Sequence, residues 1–107
     1  MARGPEAKIE DYLVRQCRMI GGVAEKFVSP NKKGVPDRIC QFPYDLIVFV
    51  EVKAEGLKPT PLQAEDHKRR RARGHSVMVI DSKAAVDGFI EGIKEAMQSL
   101  EAIGGIL

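Results

Sequence analysis

The residues of this chain best suited to chemistry are Asp37, Glu51 and Lys53. Asp37 follows Pro36 at the start of one apolar segment; Glu51 and Lys53 flank Val52 at the end of the next, Leu46-Ile47-Val48-Phe49-Val50. If the two segments pair as strands, the three charged side chains meet at one end of a sheet. Side chains alternate faces along a strand, so Glu51 and Lys53 share one face and Val52 takes the other. A hard divalent cation such as magnesium takes oxygen ligands, typically one or two carboxylates completed by water and substrate phosphate. Asp37 and Glu51 offer the carboxylates, and the main-chain carbonyl of Val52 offers a third oxygen. A cation held there can draw charge from a phosphate and lower the pKa of a bound water. Lys53 would stand beside the reacting atoms, to orient or deprotonate the attacking water or to stabilise charge on phosphorus. The blander reading is that Asp37 caps a turn and Glu51 and Lys53 are a solvated ion pair, since such short motifs are common by chance. Position favours the metal site, because Pro-Asp opens one strand and Glu-Val-Lys closes the most apolar one.

The elements that must position these residues follow from periodicity. Ile9, Tyr12, Leu13, Cys17 and Ile20 recur at helical spacing after Pro5, predicting a first helix over 6–18 that Gly21-Gly22 stops. Residues 23–28 and 37–42 read as strands, and Pro43-Tyr44-Asp45 turns the second back into the strand from Leu46 to Lys53 as a hairpin. Unbroken apolar character over 46–50 predicts a central strand covered on both faces. Thr60-Pro61 supplies a cap and a first-turn proline for a helix to about Arg73, ended by Gly74. Residues 76–80 form a fourth strand, and Asp81 or Ser82 caps a last helix carrying Val86, Phe89, Ile90, Ile93, Met97 and Leu100. The order α-β-β-β-α-β-α describes an α/β sandwich. The third and fourth strands, joined through a helix, are expected to be parallel neighbours.

With 107 residues, the chain has the size of one domain carrying one site, here 1–107, with 101–107 read as a tail. Apolar residues at 44% and charged residues at 30% describe a globular chain rather than a disordered or fibrous one. No apolar run approaches membrane-spanning length and the first residues lack a signal peptide's apolar core, so a cytoplasmic protein with no membrane partner is expected. Cys17 and Cys40 lack a CxxC partner and zinc-type spacing with His67 or His75; they read as small buried hydrophobes.

Taken together, Gly34-Val35-Pro36-Asp37, then Val50-Glu51-Val52-Lys53, then Gln63 near the start of the next helix resemble the VRR-NUC branch of the PD-(D/E)xK nucleases. The resemblance covers nearly the whole chain, and at this length it is similar to stand-alone bacteriophage members, whose setting would be the host cytoplasm. It implies a restriction-endonuclease-like core, a mixed sheet flanked by helices, and phosphodiester hydrolysis in DNA with magnesium, or manganese as substitute, and no small-molecule cofactor. It also implies Asp37 and Glu51 as metal ligands, Lys53 as catalytic lysine, and Gln63 reaching back toward the centre. The first-helix glutamate of the family is matched best by Glu10, with Glu6 the alternative, as a second-metal or water-mediated contact.

Charge distribution suggests how DNA would be held. Lys68, Arg69, Arg70, Arg71 and Arg73 crowd the helix after the catalytic strand, and Lys32 and Lys33 precede Pro36-Asp37. Such cations can contact flanking phosphates without reading sequence; for any one residue of the 68–73 block a solvated helix end is the equal alternative. Aromatic residues at 6% do not support a stacking platform for single strands. Stand-alone members resemble Holliday-junction resolvases, which implies a homodimer acting on branched DNA; Ile103, Ile106 and Leu107 would offer an apolar contact to the partner or fold back on the core. Competing readings are a nicking, flap or restriction-like nuclease, a non-catalytic DNA-binding module, or an unrelated α/β protein with an ion pair at a strand end.

Overall fold

A computed structural model of the chain describes residues 4–106. The elements run α1 (Ala7–Met19), β1 (Val23–Lys26), β2 (Arg38–Phe42), β3 (Leu46–Val52), α2 (Pro61–Ala72), β4 (Ser76–Ile80) and α3 (Lys83–Ile106), the order expected from periodicity. The strands form one sheet in the order β1-β2-β3-β4. β1–β2 and β2–β3 pair antiparallel, and β3–β4 pair parallel across the α2 crossover. This mixed sheet flanked by helices is a restriction-endonuclease-like core.

Local chemistry sets the boundaries. At the end of α1 the N–H of Gly22 donates to Cys17 O and that of Gly21 to Arg18 O, with Gly21 at φ +85°; this paired closure of a helix needs a left-handed residue, which glycine supplies at least cost. Gly74 closes α2 in the same way, His75 N–H reaching Arg70 O and Gly74 N–H reaching Arg71 O. Thr60 Oγ1 accepts from Gln63 N–H while Gln63 Oε1 accepts from Thr60 N–H, a reciprocal cap at the start of α2. Of the two candidates for the last helix, Ser82 is the cap, its Oγ accepting from Ala85 N–H at 3.0 Å.

The core lies between the sheet and the α1–α3 pair. Leu13 and Cys17 from α1 and Val86, Phe89, Ile90 and Ile93 from α3 meet Cys40, Val48, Val50, Val52 and Ile80 from the strands. Both cysteines are free and fully buried, in agreement with their reading as small hydrophobes. The even-numbered residues of β3 supply this face, so Val52 points into the core and Glu51 to the other side.

Three expectations are corrected. Residues 101–106 are not a tail but the last turns of α3, because Gly104 does not adopt the positive φ that would end a helix. Ile103 there is exposed, Ile106 is described only as a helical position, and Leu107 lies outside the described residues. β3 is not covered on both faces throughout, since Ile47 is 53% exposed on the side that α2 covers only further along. β1 ends at Lys26 rather than Val28, although Phe27 N–H still donates to Asp37 O at 2.9 Å.

Candidate active site

Asp37 and Glu51 are brought together by strand register. Arg38 pairs with Val50, so one step further Asp37 stands opposite Glu51 at the end of the β2–β3 ladder. The main-chain N–H of Val52 donates to Asp37 Oδ2 at 2.8 Å, tying Pro36-Asp37 to the Glu-Val-Lys segment. On β3, Glu51 and Lys53 lie on one face, with Lys53 Nζ 3.8 Å from Glu51 Oε2. Gln63 reaches the same oxygen from α2, its Nε2 donating at 3.4 Å. Asp37, Glu51, Val52, Lys53 and Gln63 line one cavity of about 360 Å³, joined by Glu6, Glu10 and Lys26.

The electrostatics of this cavity are unbalanced. Glu51 is 2% exposed, and burial together with the adjoining Asp37 carboxylate pushes its pKa up to about 8, against a smaller opposing effect from Lys53. Its Oε1 is buried without a hydrogen-bond partner among the described residues. Two carboxylates with one ammonium, one oxygen orphaned, suit a small hard dication. Among the described residues no three His, Cys, Asp or Glu side chains converge on one point. Asp37 and Glu51 are the residues that could hold a cation here, with other oxygens, from main chain, water and phosphate, completing its shell.

Glu10 reaches this end of the sheet from the opposite face. It is buried, and Arg38 Nε donates to its Oε2 at 2.7 Å, with Lys26 Nζ 3.9 Å from the same oxygen. Glu6 lines the same cavity one turn earlier.

Helix α2 docks through polar side chains rather than an apolar stripe. Gln63, Asp66, His67 and Arg70, at spacings of three and four, face the sheet. Asp66 is 3% exposed and accepts from Arg70 Nε at 2.7 Å, while Lys32 Nζ lies 3.2 Å away. Burial alone would raise the pKa of Asp66, but Arg70 and Lys32 outweigh it and hold the carboxyl below its usual range. The Arg70 guanidinium sits 5.0 Å from the Phe27 ring and 4.7 Å from that of Phe49.

This network sorts the basic residues. Arg70 is committed to Asp66 and two aromatic faces, and Arg71 donates to Val77 O at 2.8 Å. Lys32 pins the loop before Asp37 to α2. Arg69 pairs with Glu65 at the surface, and Lys33, Lys68 and Arg73 are exposed. Sequence reasoning gave no role to Asp66 or His67. Their position on the same helical face as Gln63 was the available signal, but an isolated Asp-His pair among charged residues reads as solvated surface.

A mixed α/β sheet with two carboxylates and a lysine gathered at one strand end defines a restriction-endonuclease-like domain. No family model matches the chain. It is 54% identical over 78 residues to "Putative nuclease p44" of Acyrthosiphon pisum secondary endosymbiont phage 1, a match that spans 73% of this chain and 84% of that protein. It also superposes on a solved VRR_NUC domain with a TM-score of 0.79 at 36% sequence identity, over 83% of this chain and 97% of that domain. The chain belongs to the VRR-NUC nuclease family.

Proposed function

We propose that the chain is a magnesium-dependent DNA endonuclease, manganese serving as substitute, with Asp37, Glu51 and the Val52 carbonyl as metal ligands and Lys53 as the catalytic lysine. The observation that carries this reading is the Asp37–Glu51 carboxylate pair, in which Glu51 is pushed up to about 8 by its burial and by the adjoining Asp37, more than Lys53 offsets. The bound cation would supply charge withdrawal from the scissile phosphate and acidification of water.

The chain's own residues do the rest. Val52 N–H fixes one oxygen of Asp37 and leaves the other for the pocket. Lys53, half-buried beside Glu51, sets an ammonium where a phosphate oxygen and the attacking water would meet. Water adds to phosphorus, one P–O ester bond breaks, and the departing oxygen takes up a proton. Gln63 holds Glu51 from α2, and Arg38 holds Glu10 at the rim for a water-mediated contact. Lys33, Lys68, Arg69 and Arg73 contact flanking phosphates, while Lys32, Arg70 and Arg71 act chiefly by shaping the surface that presents them.

One pocket cuts one strand per encounter, so paired incision of a four-way junction requires a homodimer; branched DNA in the cytoplasm is the substrate this reading favours. The test is a panel of labelled four-way junction, flap, nicked and linear duplexes with magnesium, manganese or EDTA. Symmetric paired cuts in the junction alone support the resolvase-like reading. Equal cutting of flap or linear DNA, or a protein that stays monomeric on the junction, sinks it in favour of a nicking, flap or restriction-like nuclease. Binding without cutting under every metal would leave a DNA-binding module.

A further inference from the structure

Helix α2 addresses Glu51 twice. Gln63 Nε2 donates to Oε2 at 3.4 Å, and one turn later His67 Nε2 lies 3.6 Å from Oε1. Residues four apart stack on one helix face, so a single face meets both oxygens of one carboxylate. Oε1 of Glu51 and Nε2 of His67 are also the buried side-chain polar atoms without a hydrogen-bond partner among the described residues. Both residues are 2% exposed, so bulk solvent serves neither atom. An acceptor and a potential donor orphaned face to face point to each other, and a few tenths of an ångström bring them into ordinary N–H···O range.

We propose that His67 is a positioning residue for the cation centre: its Nε2–H donates to Glu51 Oε1 and turns Oε2 toward the pocket that holds Asp37 and Lys53. The inference rests on the reading of Glu51 as a cation ligand. Neutral imidazole protonated at Nε2 and imidazolium both present this N–H, so the bond does not depend on the charge of the ring. A carboxylate gripped on one oxygen cannot swing, and partners of this kind tune metal affinity without touching the ion. The grip also links the centre to the rest of α2, since Asp66, next to His67, is tied to Lys32 in the loop that delivers Asp37.

The test is calorimetric titration of the metal-free full chain with manganese chloride, without DNA, for the wild type, His67→Leu, His67→Gln and Asp37→Asn, with thermal unfolding of each. Glutamine places an N–H close to the imidazole Nε2, whereas leucine fills the space without a donor. The expected result is binding weakened at least about tenfold in His67→Leu and largely restored in His67→Gln. Wild-type affinity in a folded His67→Leu protein, with Asp37→Asn impaired, overturns the role of His67 and leaves the cation reading standing. Equal weakening by leucine and glutamine also overturns it, because shape rather than the donor would then matter. No manganese binding by the wild type, or undiminished binding by Asp37→Asn, removes the cation reading and the role of His67 together. If His67→Leu does not fold, the histidine ¹⁵N spectrum of the wild type decides: a protected Nε2–H supports the bond, and an unprotonated Nε2 overturns it.

Discussion

The N–H of Val52 donates to Asp37 at 2.8 Å, so the residue between Glu51 and Lys53 anchors the remaining acid of the motif. The two halves of the site are one structural unit, closed by a main-chain bond at the end of the β2–β3 ladder. Asn at position 37 keeps an oxygen that can accept this bond, but it removes the charge and puts an NH2 donor in place of the second, pocket-facing oxygen. Asp37→Asn should therefore fold with its melting temperature within a few degrees of the wild type, while nuclease activity falls about 100-fold or more. Thermal unfolding and cleavage rates on the same preparation check both halves.

Glu51 makes the stability of the metal-free protein fall as pH rises. Its folded pKa, about 8, lies above the ordinary 4.5, so between these values the folded state binds more protons than the unfolded one. Stability is lost through that window with a slope of up to about 1.4 kcal/mol per pH unit. Glu51→Gln should flatten the slope and be more stable than the wild type at pH 8 without metal. Denaturant titrations of both proteins from pH 5 to 8 read it. Buried His67, its pKa lowered by burial, contributes with the opposite sign in this range, so the difference between the two slopes is the test, and equal slopes would contradict the raised Glu51 pKa.

Deprotonation of the same carboxyl must accompany metal binding, so manganese affinity should climb with pH up to about 8 and level off above it. Calorimetry in buffers of differing ionisation enthalpy would show the released proton. Affinity independent of pH from 6 to 8 would count against Glu51 as a ligand.

Asp66 and Lys68 are close in sequence and should behave oppositely. Asp66→Ala leaves Arg70 and Lys32 without their buried partner and should cost roughly 3–5 kcal/mol. Lys68→Ala should leave stability unchanged, weaken DNA binding across all sequences and reduce the salt slope of binding by about one. Chemical denaturation and salt-dependent binding assays separate the two.

Gly34 approaches α2 with φ +82°, and a Cβ there would meet Leu62 at 3.0 Å. Gly34→Ala is strained in conformation and in space, so it should destabilise by about 1–3 kcal/mol. It should also slow cleavage by shifting the loop that delivers Asp37. An alanine variant of wild-type stability and activity would show that this loop does not set the site.

Much of this was legible in residue order. The hairpin, the parallel crossover and the Thr60 cap follow from apolar runs, connection length and capping chemistry, each of which acts locally. Asp37, Glu51 and Lys53 line one cavity because strand period and register place them there, and Gln63 joins them from the first turn of α2. The face of α2 was not legible. Asp66, His67 and Arg70 are buried or half-buried through pairing with distant Lys32, Phe27 and Phe49 and with Glu51, and no local pattern records such partners. The run 68–73 looked like one basic surface, yet Arg70 turns inward and Arg71 is tied to Val77. Gly104 and its neighbour suggested an end to α3, but glycine lowers helix propensity without forbidding a helical φ.

The central claim is that Asp37, Glu51 and Lys53 form a centre that hydrolyses DNA with a divalent cation. Its most direct measurement is the single-turnover cleavage rate of a labelled four-way junction by the wild type in magnesium and in EDTA, beside Lys53→Ala in magnesium. The wild type should cut in magnesium and not in EDTA, and Lys53→Ala should cut in magnesium at a rate at least about 100-fold lower with the DNA fully bound. Cutting that persists in EDTA, or a Lys53→Ala rate equal to the wild type, would contradict it.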